Sequence, residues 1–497
     1  MINKNSSKIN EKILKILQEN KNLNDEEISK KFKIPIKKIE KERKILEIIK
    51  FLNNISENDV DPRTGKLFAY VYETGNDDIR RVANVALSLF SEKNALDFTV
   101  FRSDIIFEKE IINFGRNLMH GNEKVVGTVT SGGTESIILA TKAARDYYLK
   151  KYGKTNVPEI LAPITIHPAW NKAADLLGIK IKKLPINEEI KVDVESIKNE
   201  IDDNTALIAI SAPNWPFGTI DNAKEISEIA VDKKIPLHID ACVGGFILPF
   251  FEKLGENIPI FDFRLPGITS ISLDAHKYGY SPKGTSLLLF SDSDFKKYSM
   301  FVDVSSPGYL FVNQAILSSR SIGPFAATYA VMKYLGMNGY ENLAKKVLNA
   351  RNGILSSLRE IGFKSVGPVE SSILSVFNEE IDLISFTSNM KKRGWHISIQ
   401  RAIREYNIPL NLHMTISPIH SKLKKKFYND SKESVLIPSD FSMKEFLEII
   451  KSGSLENILK SIEEDKIDSG LMPILLEIMP QEMLTDIIKE IVIEWFK

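Results

Sequence analysis

Cysteine is almost missing from this chain: Cys242 is the only one in 497 residues. A lone cysteine cannot close an intrachain disulfide, so the expected compartment is the reducing cytoplasm. Metal-ligand spacing is missing too. The seven histidines are scattered, with no His-x-x-x-His pair and no cysteine partners, so no metal site is expected. The Gly-x-Ser-x-Gly elbow of serine hydrolases does not occur. No apolar run reaches the roughly 18–20 residues that span a bilayer, and the start lacks a signal-peptide core. An excess of one charge is also absent. Lys and Arg number 66 against 65 Asp and Glu, and a net charge of +1 draws the chain as a whole to neither nucleic acid nor membrane. Internal repeats and low-complexity tracts are not found. What remains is an ordinary globular composition, in a chain long enough to bury two cores and hold two or three domains.

Three stretches carry chemistry. The first is ISLDAHKYGYSPKG, residues 271–284, where Lys277 follows His276 directly after an apolar run. A lysine at a strand end suits a Schiff base to an aldehyde cofactor. It then needs a desolvated or cationic setting that lowers its pKa, which His276 and Lys283 are placed to supply. A plain surface loop is the alternative. The second is HIDACVGGF, residues 238–246. Ile235, Leu237 and Ile239 read as a buried parallel strand with Asp240 at its carboxyl end, where ligands of open α/β sheets sit. A carboxylate there pairs with a pyridinium nitrogen, or else caps a turn. His238 alternates with the buried positions and reads as structural, and Cys242 reads as a small core residue. The third is VVGTVTSGGTES, residues 125–136: strand, glycine turn, helix. Gly132, Gly133 and Thr134 offer backbone amides at a helix N-terminus to a phosphate. No Lys-Ser/Thr follows, so it is not a P-loop. A phosphate turn, then an aspartate on a later strand, then a lysine after the next, is the order expected of a fold-type I pyridoxal-phosphate enzyme.

The same stretches, with NGYENL at 338–343, resemble the sphingosine-1-phosphate lyase family, within the group II pyridoxal-phosphate-dependent decarboxylases. The resemblance runs from about Gly65 to about His420. It implies that Lys277 is the Schiff-base lysine, that Asp240 pairs with the pyridine nitrogen, and that His167 stacks on the ring. Gly133 and Thr134 would hold the cofactor phosphate, with His276 close by. Ser319 and Arg320 match a segment that reaches the phosphate from a partner subunit, which implies a homodimer with shared sites. Tyr72 and Lys283 match positions that contact substrate phosphate or assist proton transfer. Three segments depart from the family: NALDFT places Asp97 and Thr99 where the lyases have His and Asp, WPFG has Phe217 in place of His, and SSPG replaces a Trp-Gln-Gly stretch. These positions line the substrate end of the family's pocket.

Alternating strands and helices from about 110 to 340 give the βα pattern of a mostly parallel sheet. The expected organisation is a helical basic extension (1–55), a large cofactor-binding domain (56–340), a smaller C-terminal α/β domain (341–452) and a helical tail (453–497). DPRTGKLFAYVY, at 61–72, reads as turn residues followed by a strand-like alternation. LMPILLEIMP and IIKEIVIEWFK are apolar enough to need a partner surface. Residues 1–50 hold 14 Lys/Arg against 8 Asp/Glu. They show three helical patterns, with Asn24 and Asp25 as candidate caps. That arrangement resembles a helix-turn-helix without a wing; a helical arm packed on the dimer is the preferred reading. The expected activity is a retro-aldol lyase that splits a phosphorylated amino alcohol into an aldehyde and phosphoethanolamine. An amino-acid decarboxylase is the alternative, and a cofactor-sensing DNA-binding regulator a remote one.

Overall fold

The computed structural model describes residues 4–153, 157–308, 310–437 and 481–496. The chain divides into two compact units, Met1–Asp61 and Pro62–Lys497.

The first unit holds three helices: α1 (Lys4–Glu19), α2 (Asp25–Phe32) and α3 (Ile36–Ser56). Its core is Ile13, Ile16, Leu17, Ile28, Ile39 and Leu46. Asn24 caps α2 in a reciprocal capping box with Glu27, satisfying two backbone N–H groups. Asp25, the other candidate cap, lies inside the first turn and accepts from Arg43 Nε at 2.6 Å instead.

The second unit is built on a seven-stranded sheet in the order β1-β7-β6-β5-β4-β2-β3. Its strands are β1 (Val126–Thr130), β2 (Glu159–Pro163), β3 (Lys180–Leu184), β4 (Thr205–Ser211), β5 (Leu237–Asp240), β6 (Ile268–Leu273) and β7 (Ser286–Phe290). Strands β2 to β6 pair in parallel, and β7 runs antiparallel between β6 and β1. This is the expected α/β fold, a mostly parallel sheet flanked by helices. Every residue of β4, β5 and β7 is buried, which is why these segments read as continuous apolar runs. Helices α4 (Asp77–Leu89) and α5 (Ser103–Leu118) precede the sheet, while α6 (Gly133–Tyr152) connects β1 to β2 and α7 (Ala169–Leu177) connects β2 to β3. Reversing β7 has a consequence for function. It leaves β1 running the same way as β6, so the carboxyl ends of β1, β2, β4, β5 and β6 lie along one edge.

Beyond β7, a two-stranded ribbon joins β8 (Phe301–Asp303) to β9 (Phe311–Asn313). A helix from Gly323 to Glu360 is broken at Gly336, where φ is 53°. A four-stranded antiparallel sheet follows, with β10 (Lys364–Ser365), β11 (Ile373–Phe377), β12 (Ser398–Gln400) and β13 (Asn411–Thr415) in the order β10-β11-β13-β12. The segments SSILSVF, WHISI and LHMTIS carry β11, β12 and β13 of this sheet. The strand-like alternation at 67–72 does not form a strand. Only an isolated bridge, Leu67 to His396, is made there, because Tyr70 takes a left-handed φ of 64° that interrupts the extended run. Of the C-terminal helical tail, Gln481–Trp495 is a helix; LMPILLEIMP lies outside the described residues. No helix among the described residues is long and apolar enough to cross a membrane.

Candidate active site

Each strand that ends on the common edge delivers one part of a site. After β1, the turn Ser131–Gly132 opens α6, whose first N–H groups lack intrahelical acceptors. After β2, His167 stands at the start of α7. Asp240 is the last residue of β5. Asp274, His276 and Lys277 follow β6. These residues surround one cavity of about 410 Å³, shared with Thr134, Cys242 and Trp215. Of the residues singled out from sequence, the structure brings Gly132, Gly133, Thr134, His167, Asp240, His276 and Lys277 onto this cavity.

Asp240 is 6% exposed and fully engaged. Its Oδ2 accepts from Trp170 Nε1 at 3.1 Å and its Oδ1 from the Cys242 backbone N–H at 3.2 Å. His167 Nδ1 accepts from the Ala169 N–H at 3.1 Å, and its ring meets Trp215 edge-on at 6.0 Å. Burial lowers its pKa, so the imidazole is held neutral. His238 is buried between β5 and β6 on Ser270 and Ser272, as a structural residue should be.

The environment of Lys277 differs from the sequence expectation. Burial favours the neutral amine, but the Asp274 carboxylate lies 2.9 Å from Nζ and overrides that effect. The net direction is up, and the ammonium is retained in the cofactor-free chain. Asp274 itself is held below the usual range: burial opposes its charge, but Lys277 and His276 outweigh that. Sequence reasoning missed Asp274, although its spacing of three residues before Lys277 was available as a signal. Exchanging Asp274 for Asn removes the charge that keeps Lys277 protonated, so more neutral amine exists at any given pH. The rate at which the cofactor-free chain captures pyridoxal phosphate should then reach its midpoint at lower pH than in wild type. A midpoint that does not move would show that Asp274 leaves the amine unaffected.

Tyr72 and Lys283 do not line the cavity but stand beside Lys277. Burial, partly offset by the Lys277 charge, pushes the Tyr72 phenol up to about 12. Its ring meets Tyr278 edge-on at 4.7 Å, and Lys283 Nζ sits 5.6 Å over it. Lys283 Nζ donates to the Tyr70 carbonyl at 2.7 Å. Desolvation and then the charge of Lys277 lower its pKa.

Ser319 and Arg320 are placed elsewhere. Ser319 is exposed. Arg320 is buried within its own chain, paired with Glu108 and donating to the Val129 carbonyl. Within its own chain this guanidinium braces the end of β1. Glu135, also missed from sequence, fixes the glycine turn. Its two carboxylate oxygens accept from the Ser131 and Ile316 N–H groups, both at 2.5 Å. The departures from the family pattern also lie off the cavity. Asp97 is exposed and closes a turn on Thr99 at 2.8 Å. Phe217 is 4% exposed, in an apolar cluster with Ile186, Ile190 and Ile408.

The residues fit pyridoxal phosphate on this structure's own terms. Two buried polar atoms of cavity residues, Asp274 Oδ1 and His276 Nδ1, have no hydrogen-bond partner. Gly133 is also required by space: a Cβ there would come within 2.8 Å of Cys242 Sγ and 2.9 Å of the Asp274 carboxylate. The backbone can therefore sit low enough for its amides to face the cavity.

A lysine, a carboxylate lining the same cavity and a glycine turn on a helix N-terminus, all at the carboxyl edge of this sheet, define a fold-type I pyridoxal-phosphate enzyme. The family described as pyridoxal-dependent decarboxylase conserved domain matches residues 34–364. Among relatives, the sphingosine-1-phosphate lyase of Dictyostelium discoideum is 37% identical over 415 residues, 83% of this chain and 75% of that one. Sphingosine-1-phosphate lyase 1 of Rattus norvegicus is 36% identical over 393 residues, 78% and 68% of the two chains. Among solved structures, a Burkholderia pseudomallei sphingosine-1-phosphate lyase superposes with a TM-score of 0.73 at 32% identity, covering 80% of this chain and 90% of that one. A Lactobacillus brevis glutamate decarboxylase, TM-score 0.70 at 20% identity over 78% and 92%, shares the fold. The chain belongs to the sphingosine-1-phosphate lyase family, and it is a pyridoxal-phosphate-dependent lyase.

Proposed function

We propose that the chain cleaves the Cα–Cβ bond of a phosphorylated 2-amino alcohol of the sphingosine-1-phosphate kind, releasing an aldehyde and phosphoethanolamine. The observation that carries this reading is the single cavity onto which Lys277, Asp240 and the Gly132–Thr134 turn all open, in a chain whose relatives at 36–37% identity are lyases. The likeness to the solved glutamate decarboxylase, at 20% identity, concerns the fold alone.

When bound, pyridoxal phosphate supplies an aldehyde that captures an amine and a ring that takes up the electrons of the breaking bond. Lys277 would hold its aldehyde carbon, Asp240 its ring nitrogen, His167 its ring face, and Gly132, Gly133 and Thr134 its phosphate, with His276 beside them. Trp170 and the Cys242 amide hold the Asp240 carboxylate in place from behind. Cleavage also needs a base for the substrate hydroxyl. Tyr72 is unsuited, since a phenol raised to about 12 stays protonated near neutrality and acts as a donor. Of the two, Lys283 is the better candidate, because it stands beside Lys277 with its pKa lowered, and it acts once its Nζ leaves the Tyr70 carbonyl. Residues outside one chain's cavity, Ser319 among them, fit a homodimer. Exposed Val85, Leu89, Phe98, Val100, Ile105 and Ile106 on and between α4 and α5 supply an apolar surface for a second copy. A reducing, cytoplasmic setting suits the single buried cysteine.

The test is product analysis by mass spectrometry, with purified protein, pyridoxal phosphate and dihydrosphingosine-1-phosphate. Equimolar aldehyde and phosphoethanolamine are expected, from a particle of twice the chain mass by light scattering. Carbon dioxide from an amino-acid panel, with no aldehyde, would replace the lyase reading by decarboxylation. A monomeric particle with full activity would remove the shared-site dimer.

A further inference from the structure

The first unit is not used by any of this chemistry, and it has a geometry of its own. Helix α2 stops at Lys33, whose φ of 56° is left-handed. Three residues, Lys33 to Pro35, then lead into α3. The turn is tied down: Ser29 Oγ donates to the Ile34 carbonyl at 2.7 Å, and the Ile34 N–H returns to the Ser29 carbonyl at 3.3 Å. Ile28 of α2 and Ile39 of α3, both 0% exposed, lock the two helices onto Ile13 and Leu17 of α1. Arg43 of α3 pairs with Asp25 of α2 and fixes the crossing from outside the core. Two helices joined by so short a turn, backed by a third, form the helix-turn-helix arrangement that lays its second helix in a DNA major groove.

The exposed surface has the matching charge. Lys37, Lys41 and Lys44 project from the first half of α3, four and three residues apart and so along one strip, which also carries the exposed Glu40 and remains basic on balance. Lys38 flanks them, and Lys30 and Lys33 add charge from α2 and the turn; all are exposed. The N-terminal end of α3 contributes its own positive partial charge. The near-neutral total for the whole chain hides this local excess. Farther along α3 the character changes: Ile48, Leu52 and Ile55 are exposed and apolar, so the basic strip is confined to the half nearest the turn.

We propose that this unit binds duplex DNA, with the N-terminal half of α3 against the groove and its lysines on the phosphates. Contacts of this kind displace condensed counterions, so binding weakens steeply with salt.

The full chain is titrated against a fluorescein-labelled, mixed-sequence duplex of about three helical turns. Anisotropy is read at stepped salt from about 50 to 200 mM. Wild type should bind at the low end and lose affinity steeply along the series. The triple variant Lys37→Gln, Lys41→Gln, Lys44→Gln should bind at least about tenfold more weakly, with a log–log salt slope shallower by about three. Its lyase activity and circular dichroism should match wild type. Lys224→Gln, at an exposed lysine of the second unit, should bind as wild type does. Absence of binding at about 50 mM salt would overturn the proposal. So would a triple variant that binds like wild type, or lysine-dependent binding to phosphatidylserine vesicles with none to the duplex.

Discussion

Lys277→Ala gives a folded protein that shows no visible-edge absorbance band with pyridoxal phosphate and turns over substrate at least about 10⁴-fold more slowly. The physical reason is that, among the described residues, no other lysine lines the cavity. Lys283, the nearest by charge coupling, is held on the Tyr70 carbonyl at 2.7 Å. A modest stability cost accompanies the loss. Asp274 is 2% exposed and would lose the cation 2.9 Å away, and an unpaired buried carboxylate costs on the order of 1–3 kcal/mol unless it takes up a proton. A parallel variant separates capture from proton transfer. Lys283→Met should keep the absorbance band, because it leaves Lys277 and Asp240 untouched. It should lose the rise of kcat/KM with pH, because a base works only once deprotonated and the variant has no such group to titrate. Measuring the band and the pH profile on both proteins decides the matter. A band that persists in Lys277→Ala would end the assignment of that lysine, and a Lys283→Met profile superimposable on wild type would return the base to another group.

Asp240→Asn should lower kcat by roughly 10²–10³ while the cofactor band and KM stay near wild type, the size of effect seen when one preorganised electrostatic partner is removed. The substitution is conservative in shape. An amide oxygen can still accept from Trp170 Nε1, so the contact at 3.1 Å is preserved; what disappears is the negative charge that keeps the ring an electron sink, together with the acceptor for the Cys242 N–H. Asp240→Ala goes further and strands the indole N–H of Trp170, which is 0% exposed. That variant should lose about 1–3 kcal/mol of stability in urea unfolding in addition to its activity. The pair of variants therefore distinguishes charge from scaffolding. Wild-type kcat in Asp240→Asn would show that the carboxylate only anchors Trp170.

The sequence by itself determined the cofactor, the fold class and the order of the parts. Apolar runs marked β5 and β6. Asp240 at a strand end and Lys277 after the next strand could be read in line, because each belongs to a short motif whose chemistry is local. The three N-terminal helices were legible for the same reason, since periodicity and the Asn24 cap are properties of neighbouring residues. Tertiary structure decided everything that depends on residues far apart in the chain. Trp170 lies 70 residues from Asp240, and Arg320 lies 212 residues from the Glu108 that holds it inside its own chain. No local pattern announces such a pair. The protonation of Lys277 was also decided there. The sequence led to neighbouring positive charge and a lowered pKa, but the turn after β6 brings Asp274 against the amine, and a buried charge at 2.9 Å outweighs the desolvation that was expected to dominate.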